Sequence, residues 1–397
     1  MTDAQIQQGH RFRLAKNGLP ASLVLAAVQM SAILYSGLSP VIITGLTQTG
    51  DFTTETGGYV FAINMLGNTL GGLGMATIVQ RINWRIAMVS LLLMMMAMDA
   101  ASILWGGQQS LFALRALHGL ASGALVAVAL TIIARTKRPD RVLALGTALL
   151  VSLGGFFTIA LTKFLPDYSI DTVWTILIVV SGIVLLLLPL LGEYPPIPYK
   201  HTDVKQQRAS ILYIVLALVA IILFQAGNMT AYVYSIELGL NHQFSQSFTG
   251  TVVGLSLWAG ALGAVVIAWW STRMGRMLPV LVLLVVMTCA VSLLLVPQEA
   301  AFAVSLFGAS ICYAMVFPYL MAIASEMDNT GTIAAIGSFC ASFGIAAGPG
   351  FAAVLLGDGA YGRVVLFAAG SLAASGLIAL LPARMLDRQN LKSRVRW

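Results

Sequence analysis

Roughly a dozen apolar stretches of about 20 residues, separated by short loops, dominate this chain, and each is long enough to cross a ~30 Å hydrocarbon core as a helix. The windows fall at 20–47, 57–79, 86–105, 110–134, 142–163 and 172–192, then at 210–238, 247–270, 277–297, 300–325, 332–356 and 363–381. Composition agrees. Apolar residues make up 58% and charged residues 9% of the 397, whereas soluble domains carry about 25% charge. A bilayer must cover such a surface. The first 18 residues are polar and carry Arg11, Arg13 and Lys16 without an apolar core of their own, so they are expected to be a tail rather than a cleaved leader.

Orientation follows from where the cations fall. Lys and Arg number 3 in the amino tail, 2 at 80–85, 4 at 135–141, 3 at 193–209, 2 at 271–276 and 5 at 382–397, which together make 19 of the 22. The intervening loops hold only Lys163 and Arg363, while Arg115 lies within a span. The positive-inside rule then places both termini and the central loop in the cytoplasm. The basic sequence pI near 9.5 therefore reflects a membrane face and not nucleic-acid binding. Cys289, Cys312 and Cys340 lie in apolar stretches without CxxC spacing and the four His are scattered, so neither disulfide nor metal chemistry is expected.

The longest polar stretch between spans, 193–209, contains Pro195, Pro196 and Pro198 and divides the chain into two sets of six. Expected domains are an amino tail 1–19, a six-helix bundle 20–192, a linker 193–209, a six-helix bundle 210–381 and a basic tail 382–397. Sliding the sequence by 192 residues lays Arg81 on Arg273, Gly71 on Gly263 and Gly58 on Gly250, which suggests duplicated halves. In such architectures a substrate site lies between the repeats near the bilayer midplane. The fold class expected is an all-α membrane protein of twelve helices in two pseudo-symmetric bundles.

Several intramembrane residues are too polar to face lipid. Arg115 is the sharpest, because a guanidinium at mid-helix costs about 2.5–3.5 kcal/mol on insertion scales. It must meet water, a partner or a ligand. Asp99 on the preceding span should sit at similar depth, so an Arg115–Asp99 pair and a cavity-facing Arg115 are both open, and neither excludes the other. His118 follows Arg115 at i, i+3, on an adjoining part of the same surface. Asp99 and His118 are the candidates for proton coupling, although a lone helical His is more often a packing residue. Gln225, Asn228 and Tyr232 form a polar stripe on the seventh span, and Gln29 and Ser36 a similar one on the first. Both stripes read as cavity lining or as interhelical hydrogen bonding. Tyr313 is an aromatic wall of that cavity or ordinary packing. GPG at Gly348, Pro349 and Gly350 removes a backbone donor in mid-span and marks a candidate hinge.

The segment RALHGLASGAL at 115–125 resembles the fourth-helix signature of the major facilitator superfamily, with His118 in place of the usual Gln. QRINWR at 80–85 and TRMGR at 272–276 are similar to that family's two basic loop motifs and keep its Arg positions. Gln80 and Thr272 stand where an Asp usually precedes the Arg, which puts in doubt a gate built on that carboxylate. The fifth span has Gly154 and Gly155 but lacks the Gly-Pro that the family's antiporters tend to carry. The resemblance implies a monomeric secondary transporter of the bacterial inner membrane, not an enzyme. It would use no cofactor and draw energy from a proton gradient, with Arg81, Arg85, Arg273 and Arg276 helping to set which conformation is preferred.

No nucleotide-binding loop occurs, and GPGFAA at 348–353 lies inside an apolar helix rather than after a strand. Because Arg115 is the single full charge expected near a cavity, the substrate expected is a small organic anion, a carboxylate or aromatic acid, or else a neutral polar compound, moved by proton symport. The alternative is proton-driven efflux of a drug or metabolite through a permissive pocket of Met and aromatic residues.

Overall fold

The computed structural model describes residues 14–195, 209–270, 275–328, 332–357 and 359–394, without the side chains of 267–270 and 389–394. Arg273, most of the 193–209 linker and the outermost parts of both tails lie outside the described residues.

Among those residues the chain forms fourteen α-helices and no strand: α1 (Leu19–Gly37), α2 (Ser39–Gln48), α3 (Thr54–Ile78), α4 (Trp84–Leu104), α5 (Gln108–Ile133), α6 (Pro139–Phe164) and α7 (Ile170–Leu187), then α8 (Ile211–Val233), α9 (Ser235–Asn241), α10 (Gln246–Trp270), α11 (Met277–Ser292), α12 (Glu299–Ser325), α13 (Thr332–Leu356) and α14 (Tyr361–Arg394). Eleven of the described helices are long and apolar enough to cross a membrane, one fewer than the sequence windows suggest. The missing one is α3. Its 25 residues are diluted by six glycines, Asn64, Asn68 and four threonines, which lowers its apolarity without shortening it.

Two expected spans are broken. The window 20–47 divides at Leu38 (φ −100°, ψ 7°), where Pro40 removes the amide that would continue the α1 ladder. The window 210–238 divides at Tyr234 (φ −93°, ψ 7°), where no Pro intervenes. At the other extreme, α14 continues through Pro382 to Arg394, well past the expected boundary at 381. Local signals still set several ends: Pro20 opens α1, and the Asn83 side chain accepts from the Arg85 and Ile86 amides at the start of α4.

The chain forms two compact units. In the first, drawn from 14–38, 67–154 and 169–195, α1, α4, α5 and α7 pack around Leu25, Met88, Leu92, Leu125, Val128 and Ile132. The last half of α3 approaches α5 backbone to backbone: a β-carbon on Gly71 would collide with the Leu120 carbonyl, and one on Gly123 with that of Asn68. Only glycine permits that approach.

The second unit contains the later helices, with α8 packed on α13 and α14, α10 on α12, and α11 on α12 and α14. It also takes in 39–66 and 155–168 from the first half of the sequence, so the units do not follow the linker boundary. Contacts explain this. The short helix α2 packs on α8 and α9, a β-carbon on Gly58 of α3 would meet the Tyr234 hydroxyl, and one on Gly250 of α10 would meet Thr162 of α6. Gly58 and Gly250 are one of the three pairs that the 192-residue shift superimposes.

Candidate functional site

In the first unit the short turn between α4 and α5 makes these helices antiparallel neighbours and brings Asp99 and Arg115 to one depth. Arg115 Nη1 donates to Asp99 Oδ1 at 2.8 Å, and Nη2 donates to the Ser102 hydroxyl at 2.6 Å and the Met98 carbonyl at 3.1 Å. The guanidinium also lies 4.2 Å over the Trp174 ring and 5.9 Å from the Tyr35 ring. His118 Nε2 stands 3.7 Å from Asp99 Oδ2, and Tyr35 lies between His118 and Trp174, stacked on the latter with 2° between the planes. Asp99 and Arg115 have no exposed surface, and His118, Tyr35 and Trp174 almost none.

The three sequence-predicted residues Asp99, Arg115 and His118 thus form one cluster, in which the cation is closed in by its own unit. Chemically the cluster holds one cation, one carboxylate and one imidazole with two aromatic walls. The carboxylate can exchange a proton only if the cation it neutralises finds another anion or water. Tyr35 and Trp174 were not found by sequence reasoning. A Tyr and a Trp in apolar windows carry no signal apart from their neighbours.

Gln29 and Ser36 lie half-buried on α1. Gln29 sits against Gly146 of α6, where a β-carbon would stand 2.6 Å from its Oε1. The Ser36 hydroxyl donates to the Ile33 carbonyl of its own helix at 2.7 Å.

In the second unit Gln225 is buried on α8, next to Phe224, whose ring faces Tyr313 of α12. The Tyr313 ring stacks on Phe224 and Phe317, at 5.7 Å and 5.9 Å between centroids. Asn228 and Tyr232 follow Gln225 on the same helix and are half-buried. The GPG segment lies within an uninterrupted α13, and it marks a helix crossing. A β-carbon on Gly348 would collide with the Ala226 backbone of α8, and the Pro349 carbonyl accepts from the Tyr234 hydroxyl at 2.8 Å.

Arg85 and Arg276, one from each basic motif, are anchored. Arg81 is exposed, but Arg85 donates to the Leu191 and Gly192 carbonyls at 2.5 Å and 2.9 Å and pairs with Glu193 at 3.4 Å. Arg276 pairs with Glu326 and lies 3.8 Å from Asp387. Both Asp387 carboxylate oxygens accept from the Arg276 amide at 3.0 Å, and Oδ2 also accepts from the Met277 amide at 3.0 Å. So Asp387, from α14, caps the start of α11 beside the loop whose own motif lacks a carboxylate. A separation of 111 residues hides this relation from motif reading.

A second buried carboxylate escaped sequence reasoning altogether. Glu237 of α9 is 8% exposed and accepts from the hydroxyls of Thr44 at 2.8 Å, Thr54 at 3.4 Å and Thr47 at 3.5 Å. Thr54 also bonds the Tyr361 hydroxyl at 3.1 Å, and Gln48 donates to Gln246 at 3.1 Å and to the Pro166 carbonyl at 3.0 Å. Every one of these contacts lies within the second unit and ties α2 or α3, from the first sequence half, to the region after 230 or to 166. The only available signal was a Glu near the end of an apolar window.

Helices alone and eleven apolar spans among the described residues, with glycine-mediated helix crossings and a buried charged cluster, define a multi-pass membrane protein of the transporter type. The profile of the Major Facilitator Superfamily matches residues 24–349 and 216–396, and the chain belongs to that family. It is a transporter and not an enzyme. Among curated proteins none matches it significantly. Among solved structures it is similar to the nucleoside transporter NupG, with TM-score 0.73 and 11% identity over 92% of this chain and 100% of that one. It is also similar to a bacterial homolog of the human lysosomal transporter Spinster in an inward-facing and occupied conformation, with TM-score 0.63 and 14% identity over 94% and 96%. At these identities the likeness is one of fold.

Proposed function

We propose that this protein is a secondary active transporter that moves a small organic anion, a carboxylate or aromatic acid, by alternating access with proton symport. The observation that carries the reading is the buried Arg115–Asp99 pair with His118 at 3.7 Å. Asp99 neutralises Arg115. Protonation of Asp99 frees the guanidinium for an external anion, and an anion on Arg115 favours the neutral carboxyl. Each event promotes the other, which is the thermodynamic condition for carrying proton and anion together. His118, beside the free carboxylate oxygen, is placed to pass the proton.

The full architecture in this reading is twelve spans in two pseudo-symmetric six-helix bundles, with α1–α2 and α8–α9 each counted as one broken span and α3 included. Three observations support it. The breaks at Leu38 and Tyr234 share similar backbone angles, Gly58 and Gly250 both lie at crossings between the sequence halves, and Gly71 and Gly263 both abut a following helix, at Leu120 and Ile311. The Lys and Arg distribution supports cytoplasmic termini, in this reading at a bacterial inner membrane, with the Glu237 contacts at the outer face. A monomer needs no further surface, and the proton gradient replaces any cofactor.

The second reading, proton-driven efflux of a lipophilic drug or metabolite, draws on the Phe224–Tyr313–Phe317 aromatic stack. A thermal-shift screen of purified protein against anionic, cationic and neutral solutes, nucleosides among the neutral ones, decides between the two. Anions should raise the unfolding temperature and the Arg115→Ala variant should lose that response. Stabilisation by cations alone, undiminished in Arg115→Ala, would overturn the anion reading.

A further inference from the structure

Glu237 takes no part in the mechanism above, yet among the described residues it is a buried carboxylate at a place where segments of the two sequence halves meet. Its partners are all hydroxyls: Thr44 and Thr47 of α2 and Thr54 of α3, with Thr54 in turn bonded to Tyr361 at the start of α14. The other titratable groups facing it are the Tyr168 and Tyr361 phenols, and both lie close enough to feel its charge. Nearby Glu55 is engaged by the Tyr59 hydroxyl at 3.1 Å. Among the described residues no Lys or Arg forms an ion pair with Glu237. An ionised carboxylate here has hydroxyl donors but no counter-charge, and the same group would be hydrated if α2 and α3 parted from α9.

We propose that Glu237, with Thr44, Thr47 and Thr54, is a proton-sensitive latch on the outer face of the transporter. The protonated latch holds that face shut, and its ionisation releases it. The sign follows from linkage. The closed arrangement hides the carboxyl in a dry site and favours the neutral form, whereas the open one exposes it to water and favours the anion. Proton binding therefore shifts the population toward closure, by at most about tenfold per pH unit for one titrating group. This coupling is separate from the Arg115–Asp99 exchange. Glu237 senses the outer medium and biases the conformation, while Asp99 travels with the substrate cycle. The latch rests on the transporter reading and on its orientation, but not on the substrate being an anion.

The test is a distance measurement between spin labels at Thr49→Cys and Asn241→Cys, both exposed at this end, in full-length protein whose three native Cys are replaced. In lipid vesicles equilibrated between pH 5 and pH 8 without substrate, the short-distance population should dominate at acid pH and give way to a longer one as pH rises. Glu237→Gln, permanently neutral, should keep the short distance throughout. A distribution that does not change with pH, or an unaltered pH response in Glu237→Gln, overturns the latch. Should Glu237→Gln fail to fold, Thr44→Val decides: the long-distance population at pH 7 should rise roughly threefold, the worth of one membrane hydrogen bond. No rise overturns the latch. Because no substrate is present, a failed anion screen with an intact pH response rejects the symport reading alone, and the converse rejects the latch alone.

Discussion

The Arg115 guanidinium donates to the Asp99 carboxylate across 2.8 Å with neither side chain exposed, so each charge is kept in the apolar interior by the other. Removing one partner should cost far more than removing both. Asp99→Ala leaves a buried cation and should lower stability by about 3–5 kcal/mol, while a double Asp99→Asn, Arg115→Gln change should recover most of it. Thermal unfolding in detergent checks the order. A double variant no more stable than Asp99→Ala would show that the pair is not the source of the cost.

Glycine spacing in the first unit makes a contrasting pair of positions. A methyl on Gly71 would overlap the Leu120 carbonyl and force α3 away from α5, for about 1–3 kcal/mol of destabilisation. Gly74, three residues on, has nothing within 4 Å of an added β-carbon. Gly74→Ala should therefore leave stability unchanged or raise it by up to about 1 kcal/mol, from helix propensity alone. Melting curves of the two variants should move in opposite directions, or at least differ clearly.

At the crossing of α3 with Tyr234 the expected effect falls on function. Gly58→Ala would press a methyl into the Tyr234 hydroxyl, which is itself held by the Pro349 carbonyl. Flux in proteoliposomes should fall while expression and folding persist. Adding Tyr234→Phe removes the colliding oxygen and should restore part of the flux. If the second change brings nothing back, the steric account is wrong.

Asp387 takes over a capping role at the start of α11 that the neighbouring loop motif does not supply. Asp387→Ala strips acceptors from the Arg276 and Met277 amides and should cost about 0.5–2 kcal/mol, with Asp387→Asn closer to wild type. Chemical denaturation of the detergent-solubilised protein separates the two variants.

Legible in the linear order were the bilayer surroundings, the helical class, the approximate places of the spans, and the similar depth of Asp99 and Arg115 with His118 one turn on. These follow from hydropathy windows and helical periodicity, which act over tens of residues and need no knowledge of what packs where. The sequence also marked Gly58, Gly71 and Gly250, though not what they touch. Three-dimensional packing is what brings Ser102, Tyr35 and Trp174 around Arg115, sets Asp387 at the start of α11, and gives Glu237 three threonines from the other half of the chain. Those relations join residues up to 193 positions apart. A buried polar group is satisfied by whatever donor the fold brings near, and linear order carries no record of which one that will be.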